Sequence, residues 1–127
     1  MEPVFLKNNN EILYLMTGDK EKIKNLLQQG YTLLDPATAE GAGEKHLPIV
    51  EKTGQKIAVA VGSVFHPMTQ EHSIGWVFLE TEKGGQIVKL DPGSTPEAEF
   101  HLAEGDRAVA AYAYCNLHGL WKMEIYR

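Results

Sequence analysis

Short apolar segments separated by turn-forming residues run from about residue 47 to the end of the chain, and this pattern constrains the fold more than any other feature. Around residues 56–61, apolar side chains recur at the two-residue period of a β-strand. Further strands are predicted at residues 74–79, 87–90, 100–102, 107–114 and 121–125. Turns containing Gly, Pro or Asp separate them. Six or seven short strands with this spacing predict an all-β fold, either an antiparallel β-sandwich or a barrel.

The first 43 residues have a different pattern. Residues 4–6 and 12–16 flank three consecutive asparagines and predict a β-hairpin. Asp19 is a suitable N-cap for a short amphipathic helix that ends before Gly30. This segment therefore combines strand and helix signals, unlike the rest of the chain.

A predicted linker divides the chain. Residues 35–43 are rich in Pro, Ala and Gly and show no hydrophobic period. We therefore expect residues 1–43 to form a small α+β appendage and residues 44–127 to form the β-sandwich domain. The apolar fraction of 43% in 127 residues is sufficient for one well-formed core.

Composition also restricts the compartment and the partners. A single cysteine excludes an internal disulfide. The first residues do not have the basic and apolar regions of a signal peptide, and no run approaches the roughly 18 apolar residues of a membrane span. We therefore expect a cytoplasmic protein with no membrane partner. The net charge of −5 disfavours nucleic acid as a partner.

The chemistry of the chain is concentrated in its cysteine and four of its five histidines. Cys115 precedes His118 by three positions in a turn-like segment, whereas His46 and the pair His66 and His72 lie in two other polar segments. A thiolate with several imidazoles is typical of iron, copper or zinc sites, whereas magnesium and calcium prefer oxygen ligands. Because loops cluster at the ends of a β-sandwich, we expect these segments to meet there.

Spacing alone leaves three kinds of metal site open. Zinc would take four ligands in a closed site. A type 1 copper site would combine Cys115, two histidines and an axial Met123, although Met123 continues the alternation of a predicted core strand. Non-haem iron could use all four histidines and the thiolate and keep one position open. Three other residues are predicted to have structural positions rather than roles in the metal site. His101 is expected to face solvent, and Trp76 and Trp121 are expected to lie in the core.

Three segments contain the candidate ligands and their neighbours: Glu-Lys-His-Leu-Pro at residues 44–48, Val-Gly-Ser-Val-Phe-His-Pro-Met at residues 61–68 with Glu71 and His72, and Tyr-Cys-Asn-Leu-His-Gly-Leu-Trp-Lys at residues 114–122. They resemble the signature segments of the superoxide reductases, the family of desulfoferrodoxin and neelaredoxin. Residues 89–93 and 96–100 also match the intervening stretch of that family. The resemblance covers roughly residues 44–127 and implies an immunoglobulin-like β-sandwich.

The resemblance also implies a ligand set and a reaction. It implies one mononuclear iron with four equatorial histidines and an axial cysteine, at the positions His46, His66, His72, His118 and Cys115. The implied reaction is the one-electron reduction of superoxide to hydrogen peroxide, with the electron drawn from a rubredoxin-like donor. By the same resemblance, Lys45 attracts the anion and Glu44 occupies the sixth position of the ferric form. We also expect a homo-oligomer, either a dimer or a tetramer.

Two features depart from the family pattern. Many members carry an N-terminal iron site of four cysteines, but here Asn8-Asn9-Asn10-Glu11 stands where a Cys-x-x-Cys motif is expected. Phe65 replaces the proline that usually precedes the His-Pro-Met segment. The N-terminal segment is therefore expected to bind no metal. A small electron-transfer metalloprotein and a binding module with a structural metal remain the alternatives to a reductase.

Overall fold

Strands dominate the computed structural model, which describes residues 2–16, 18–38 and 45–125. Within these ranges the chain forms one helix, α1 (Lys20–Gln28), and ten strands. The strands are β1 (Val4–Asn8), β2 (Glu11–Leu15), β3 (Thr32–Leu34), β4 (Pro48–Thr53), β5 (Lys56–Val61), β6 (Ile74–Thr81), β7 (Gly84–Lys89), β8 (Glu97–His101), β9 (Ala108–Cys115) and β10 (Gly119–Glu124). All pairings between these strands are antiparallel, which confirms the predicted fold class. No helix in the described ranges is long and apolar enough to cross a membrane.

The chain divides into two compact units, and the first is Met1–Asp35. Its three strands have the order β2-β1-β3, and the β1–β2 hairpin turns at Asn9, whose φ of 53° is a conformation that asparagine tolerates. Asp19 caps α1 as predicted by accepting the backbone N–H of Glu21 at 3.0 Å. Buried Phe5 and Leu6 lie on β1, the central strand of this sheet.

The second unit, Pro36–Arg127, contains two sheets of order β10-β9-β6-β7 and β4-β5-β8. Buried side chains from both sheets form one core, which comprises Ile57, Val59, Val61, Ile74, Val77, Leu79, Ala98, Phe100, Leu102, Ala108, Ala111, Ala113 and Cys115. Two antiparallel sheets that share one core form the predicted β-sandwich. Its seven strands agree with the expected number.

The second unit begins earlier than the predicted domain boundary at residues 43–44. Ala37 lies beside β10, donating its N–H to the carbonyl of Leu120 at 2.9 Å and accepting the N–H of Lys122 at 2.8 Å. The first residues of the predicted linker are therefore joined to the sandwich by backbone hydrogen bonds. Residues 39–44, which include Glu44, lie outside the described residues.

A bulge in β6 decides which aromatic side chains enter the core. The pairing of β6 with β9 shifts between Ile74 and Trp76, so Ile74 and Val77 both contribute to the shared core. Trp76 is buried outside that core cluster and stacks on Tyr114, with ring centroids 5.4 Å apart.

The expectation that Trp121 is a core residue is wrong. In β10 the buried residues are Leu120 and Lys122, and Trp121 is only half-buried.

Strand ends place the cysteine and histidine segments close together. Cys115, the last residue of β9, pairs with both Gly119 and Ile74, the first residues of β10 and β6. In the other sheet, Pro48 at the start of β4 pairs with Val61 at the end of β5. The four histidine positions lie in the segments that lead into or out of these strand ends.

Candidate metal centre

Five side chains converge where these segments meet. One potential ligand atom from each of His46, His66, His72, Cys115 and His118 lies within 4.8 Å of the corresponding atoms of the others. Cys115 and His66 are buried, His46 and His72 are half-buried, and His118 is exposed. The structure thus brings together all five predicted metal ligands at a site that borders solvent on one side.

The four imidazole rings are arranged as a square. Neighbouring centroids are 4.8 Å apart for His46–His66 and for His46–His118, 4.5 Å for His66–His72, and 5.1 Å for His72–His118. The diagonal distance between His46 and His72 is 6.5 Å. A planar square has a diagonal of about 1.4 times its side, whereas a tetrahedron has equal edges. The ring positions therefore match four equatorial ligands around one centre.

Two of the ring nitrogens are buried without a hydrogen-bond partner. The Nε2 atoms of His66 and His72 have none among the described residues. His66 is fixed from its other side, because its Nδ1–H donates to the carbonyl of Pro67 at 2.7 Å. This bond leaves the lone pair on Nε2 and aims it at the cluster, as in imidazoles that bind a metal ion.

The electrostatics of the cluster also favour the neutral form of two imidazoles, His66 and His72. The pKa of His66 is lowered to about 4, mainly by burial and also by the neighbouring His46, His72 and His118, while the hydrogen bond to Pro67 acts in the opposite direction. The pKa of His72 is also lowered, first by burial and then by the nearby His118, His46 and Lys45. Metal binding requires the deprotonated imidazole, so no proton has to be removed from His66 at neutral pH.

His118 differs from the other histidines in the nitrogen that it directs into the cluster. Its Nδ1 lies 3.1 Å from Nε2 of His46 and 3.7 Å from Sγ of Cys115. Both residues of the Cys-x-x-His pair therefore lie on the same side of the turn that joins β9 to β10. Two ring nitrogens and a sulfur are thus close enough together to share one ligand.

Asn116 joins the His72 loop to the turn that carries Cys115 and His118. Its Oδ1 accepts the N–H of Ser73 at 3.0 Å, and its Nδ2 donates to the carbonyl of Glu71 at 2.9 Å. The two bonds bracket His72 along the chain. Thr69 closes the other end of this loop, because its Oγ1 accepts the N–H of His72 at 3.1 Å.

The sequence pattern predicted a core position for Trp121 and gave no indication of the contacts that Trp121 and Asn116 form with the site. The indole ring of Trp121 stacks on His46, with centroids 4.7 Å apart and planes inclined by 18°. Its Nε1–H donates to the carbonyl of His118 at 3.1 Å. The only signal in the sequence was their position, within or directly after the Cys-x-x-His segment.

The other predicted residues lie as follows. Lys45 is exposed next to His46, and Glu44 is outside the described residues. His101 is exposed, as expected for a solvent-facing residue, and forms an ion pair with Glu99 when protonated, at 3.1 Å. Met123 pairs with Ala111, four positions along β10 from Gly119 and roughly 13 Å from the cluster end of the strand.

The family model and the similar proteins that match this chain belong to the same family. The Desulfoferrodoxin family model matches residues 38–124. Desulfoferrodoxin from Nitratidesulfovibrio vulgaris is 47% identical over 92 residues, which cover 72% of this chain and 71% of that protein. Superoxide reductase from Pyrococcus horikoshii is 36% identical over 100 residues, which cover 65% of this chain and 87% of that protein.

The similarity to solved structures extends over both units of the chain. The crystal structure of the superoxide reductase from Treponema pallidum aligns with a TM-score of 0.77 and 34% identity, covering 97% of this chain and 98% of that one. A superoxide reductase from Giardia intestinalis aligns over 65% of this chain and 100% of its own, with a TM-score of 0.55 and 31% identity. The chain therefore belongs to the desulfoferrodoxin family of superoxide reductases.

Proposed function

We propose that this protein is a superoxide reductase, an oxidoreductase that converts superoxide to hydrogen peroxide at one iron ion held by His46, His66, His72, His118 and Cys115. The observation that carries the proposal is the square of four imidazole rings with a buried cysteine sulfur beside it. These side chains would supply four nitrogen donors and one thiolate to an iron ion, which would keep a further position for a small substrate.

The donor atoms present fit iron better than they fit zinc. The buried, unpartnered Nε2 atoms of His66 and His72 need an electrophile to compensate their burial, and a metal ion provides it. Structural zinc is bound almost always by four ligands at the corners of a tetrahedron. Here four rings occupy a square and a fifth donor is adjacent, which supports a metal ion with five or six ligands.

The copper alternative depended on Met123 as an axial ligand. Because Met123 is about four strand positions away from the site, its sulfur cannot reach the histidine cluster. Four histidines also exceed the two that a type 1 copper site uses. The position of Met123 thus removes the main support for a cupredoxin-like carrier.

The reaction consumes one electron and two protons for each superoxide anion and yields one hydrogen peroxide. When bound, iron supplies this electron by cycling between the ferrous and ferric states. The five side chains carry one negative charge in total, on the thiolate, so they leave a divalent ion with a net charge of +1. That residual charge favours the approach of a small anion.

Lys45 is proposed to attract superoxide to the site. Its side chain is exposed, and its positive charge acts on His72, where it contributes to the lowered pKa of that imidazole. A cation at the edge of a solvent-exposed site accelerates the encounter with an anion, and salt screens the effect. The role predicted for Glu44 in the ferric form stays a prediction.

The electron must come from a second protein or a small reductant. We propose a rubredoxin-like one-electron donor, which would reach the cluster from its exposed side at His118. A homo-oligomer, either a dimer or a tetramer, is also proposed. Size-exclusion chromatography with light scattering and reduction kinetics with purified rubredoxin would examine these two points separately.

Iron loading combined with histidine substitution tests the proposed function. We expect the anaerobically reconstituted protein to bind one iron per chain and to consume superoxide with a reduced donor. His72→Asn should lose both properties, because it removes one corner of the square. His101→Asn is the matched control and should retain both, since His101 lies on an exposed strand outside the cluster. Iron binding without superoxide consumption would support the electron-carrier alternative instead.

A further inference from the structure

Trp121 contacts two separate segments of the histidine cluster. Its indole ring stacks on His46, which arrives from the segment before β4, with centroids 4.7 Å apart. Its Nε1–H donates to the carbonyl of His118, in the β9–β10 turn, at 3.1 Å. His46 and His118 are neighbouring corners of the ring square, with centroids 4.8 Å apart.

The backbone around Trp121 is held on both sides of β10. Trp121 pairs with Ala113 of β9 on one side. On the other side, Ala37 bridges the residues before and after Trp121, through hydrogen bonds of 2.9 Å to Leu120 and 2.8 Å to Lys122. The main chain of Trp121 is therefore fixed on both edges of the strand, and its indole ring is held by the stack on His46 and the N–H bond to His118.

We propose that Trp121 is a positioning residue that sets the places of His46 and His118 before a metal ion binds. This inference rests on the metal site proposed above. The stacking contact orients the His46 ring, and the hydrogen bond fixes the main chain of His118, so one side chain aligns two ligands from different loops. Groups that orient metal ligands typically change metal affinity by about 10- to 100-fold when they are removed.

Two substitutions separate the two contacts. Trp121→Leu removes both the stacking surface and the N–H donor. Trp121→Phe keeps an aromatic ring for His46 but loses the donor to His118. A single hydrogen bond has a net value near 1 kcal/mol, which corresponds to about a fivefold change in affinity.

The test measures cobalt(II) affinity of the metal-free protein by chelator competition, with the thiolate-to-cobalt absorption as the signal. We expect Trp121→Leu to weaken binding by about 10- to 100-fold and Trp121→Phe by about fivefold. Trp76→Phe is the matched control, because the ring of Trp76 stacks on Tyr114, with centroids 5.4 Å apart. It should bind cobalt as wild type does.

A second readout follows the indole N–H itself. The two tryptophan N–H resonances of the ¹⁵N-labelled protein are assigned by their loss in Trp121→Phe and Trp76→Phe. In the metal-free protein we expect the Trp121 N–H to exchange with solvent slowly, because it is bonded to His118, and to shift when zinc is added.

The outcomes distinguish this inference from the function on which it rests. If wild type binds cobalt and Trp121→Leu binds it equally well, Trp121 does not position the ligands. If Trp121→Leu loses affinity only because the metal-free variant unfolds, circular dichroism will show it, and Trp121→Phe then decides by its affinity. A wild-type protein that binds neither cobalt nor iron would overturn both proposals.

Discussion

Replacing Asn116 by alanine should loosen the connection between two of the loops that form the cluster. Asn116 forms two side-chain hydrogen bonds, at 3.0 Å from Ser73 N–H and at 2.9 Å to the carbonyl of Glu71. Each bond contributes about 0.5–1.5 kcal/mol. Because Asn116 is exposed and water replaces part of the loss, we expect the lower half of the combined range, about 1–2 kcal/mol.

This magnitude can be measured in the metal-free protein by thermal unfolding, where it corresponds to a fall in Tm of roughly 5 °C. Because the lost bonds bracket His72, we also expect cobalt(II) affinity to fall by about tenfold. Leu117→Ala is the control at the adjacent position, since the Leu117 side chain is 60% exposed and should matter little for stability. The reasoning is refuted if Asn116→Ala equals Leu117→Ala in both measurements.

Three further predictions follow from the site. Cys115→Ser should keep the β-sandwich by circular dichroism but abolish superoxide reduction in stopped-flow mixing, because the soft thiolate donor is lost; near-native turnover would show that the sulfur is not a ligand. Lys45→Ala should slow the second-order reaction with superoxide and flatten its dependence on ionic strength, whereas Lys52→Ala, another exposed lysine of the same unit, should change neither. Burial lowers the pKa of His66 from 6.5 to about 4. Between these pH values the unfolded chain therefore binds a proton at this residue and the folded chain does not. The free energy of unfolding of the metal-free protein should therefore fall as the pH decreases from about 6.5 towards 4, and a pH profile of His66→Asn that is as steep as that of wild type would contradict this origin.

The strand pattern predicted most of the sandwich because its strands bury one or both faces. β5 has regular alternation, with Ile57, Val59 and Val61 buried. β4 was not predicted as a strand, since Pro48 is its only buried residue, Val50 is half-buried, and the other residues of this edge strand are exposed. β3 has three residues and no buried one, so it depends on pairing with β1 rather than on a hydrophobic period.

The side-chain directions in β6 and β10 were harder to predict. A bulge near Ile74 changes which residues face the core, and a period-2 pattern cannot reveal a bulge. Trp121 alternates with Met123 in the sequence and so resembles a core residue, but the structure uses its large ring against His46. Tryptophan is hydrophobic wherever it packs, so composition cannot distinguish the two positions.

The sequence predicted which residues form the site better than it predicted how they are arranged. The turn contexts and the family resemblance identified five candidate ligands, and the structure places them together. The square order of the rings and the use of Nδ1 by His118 depend on loop conformations, and these depend on contacts distant in sequence. The bonds from Asn116 to the His72 loop are such contacts, because they join residues more than 40 positions apart.

Product stoichiometry is the most direct measurement of the central claim. Potassium superoxide is added under an anaerobic atmosphere to the iron-loaded protein with excess reduced donor, and both hydrogen peroxide and dioxygen are quantified. A reductase converts each superoxide to one hydrogen peroxide and releases no dioxygen above the spontaneous background. We expect this ratio for the wild-type protein. Half as much hydrogen peroxide, accompanied by dioxygen, would identify a dismutase, and no consumption above background would contradict the proposed activity altogether.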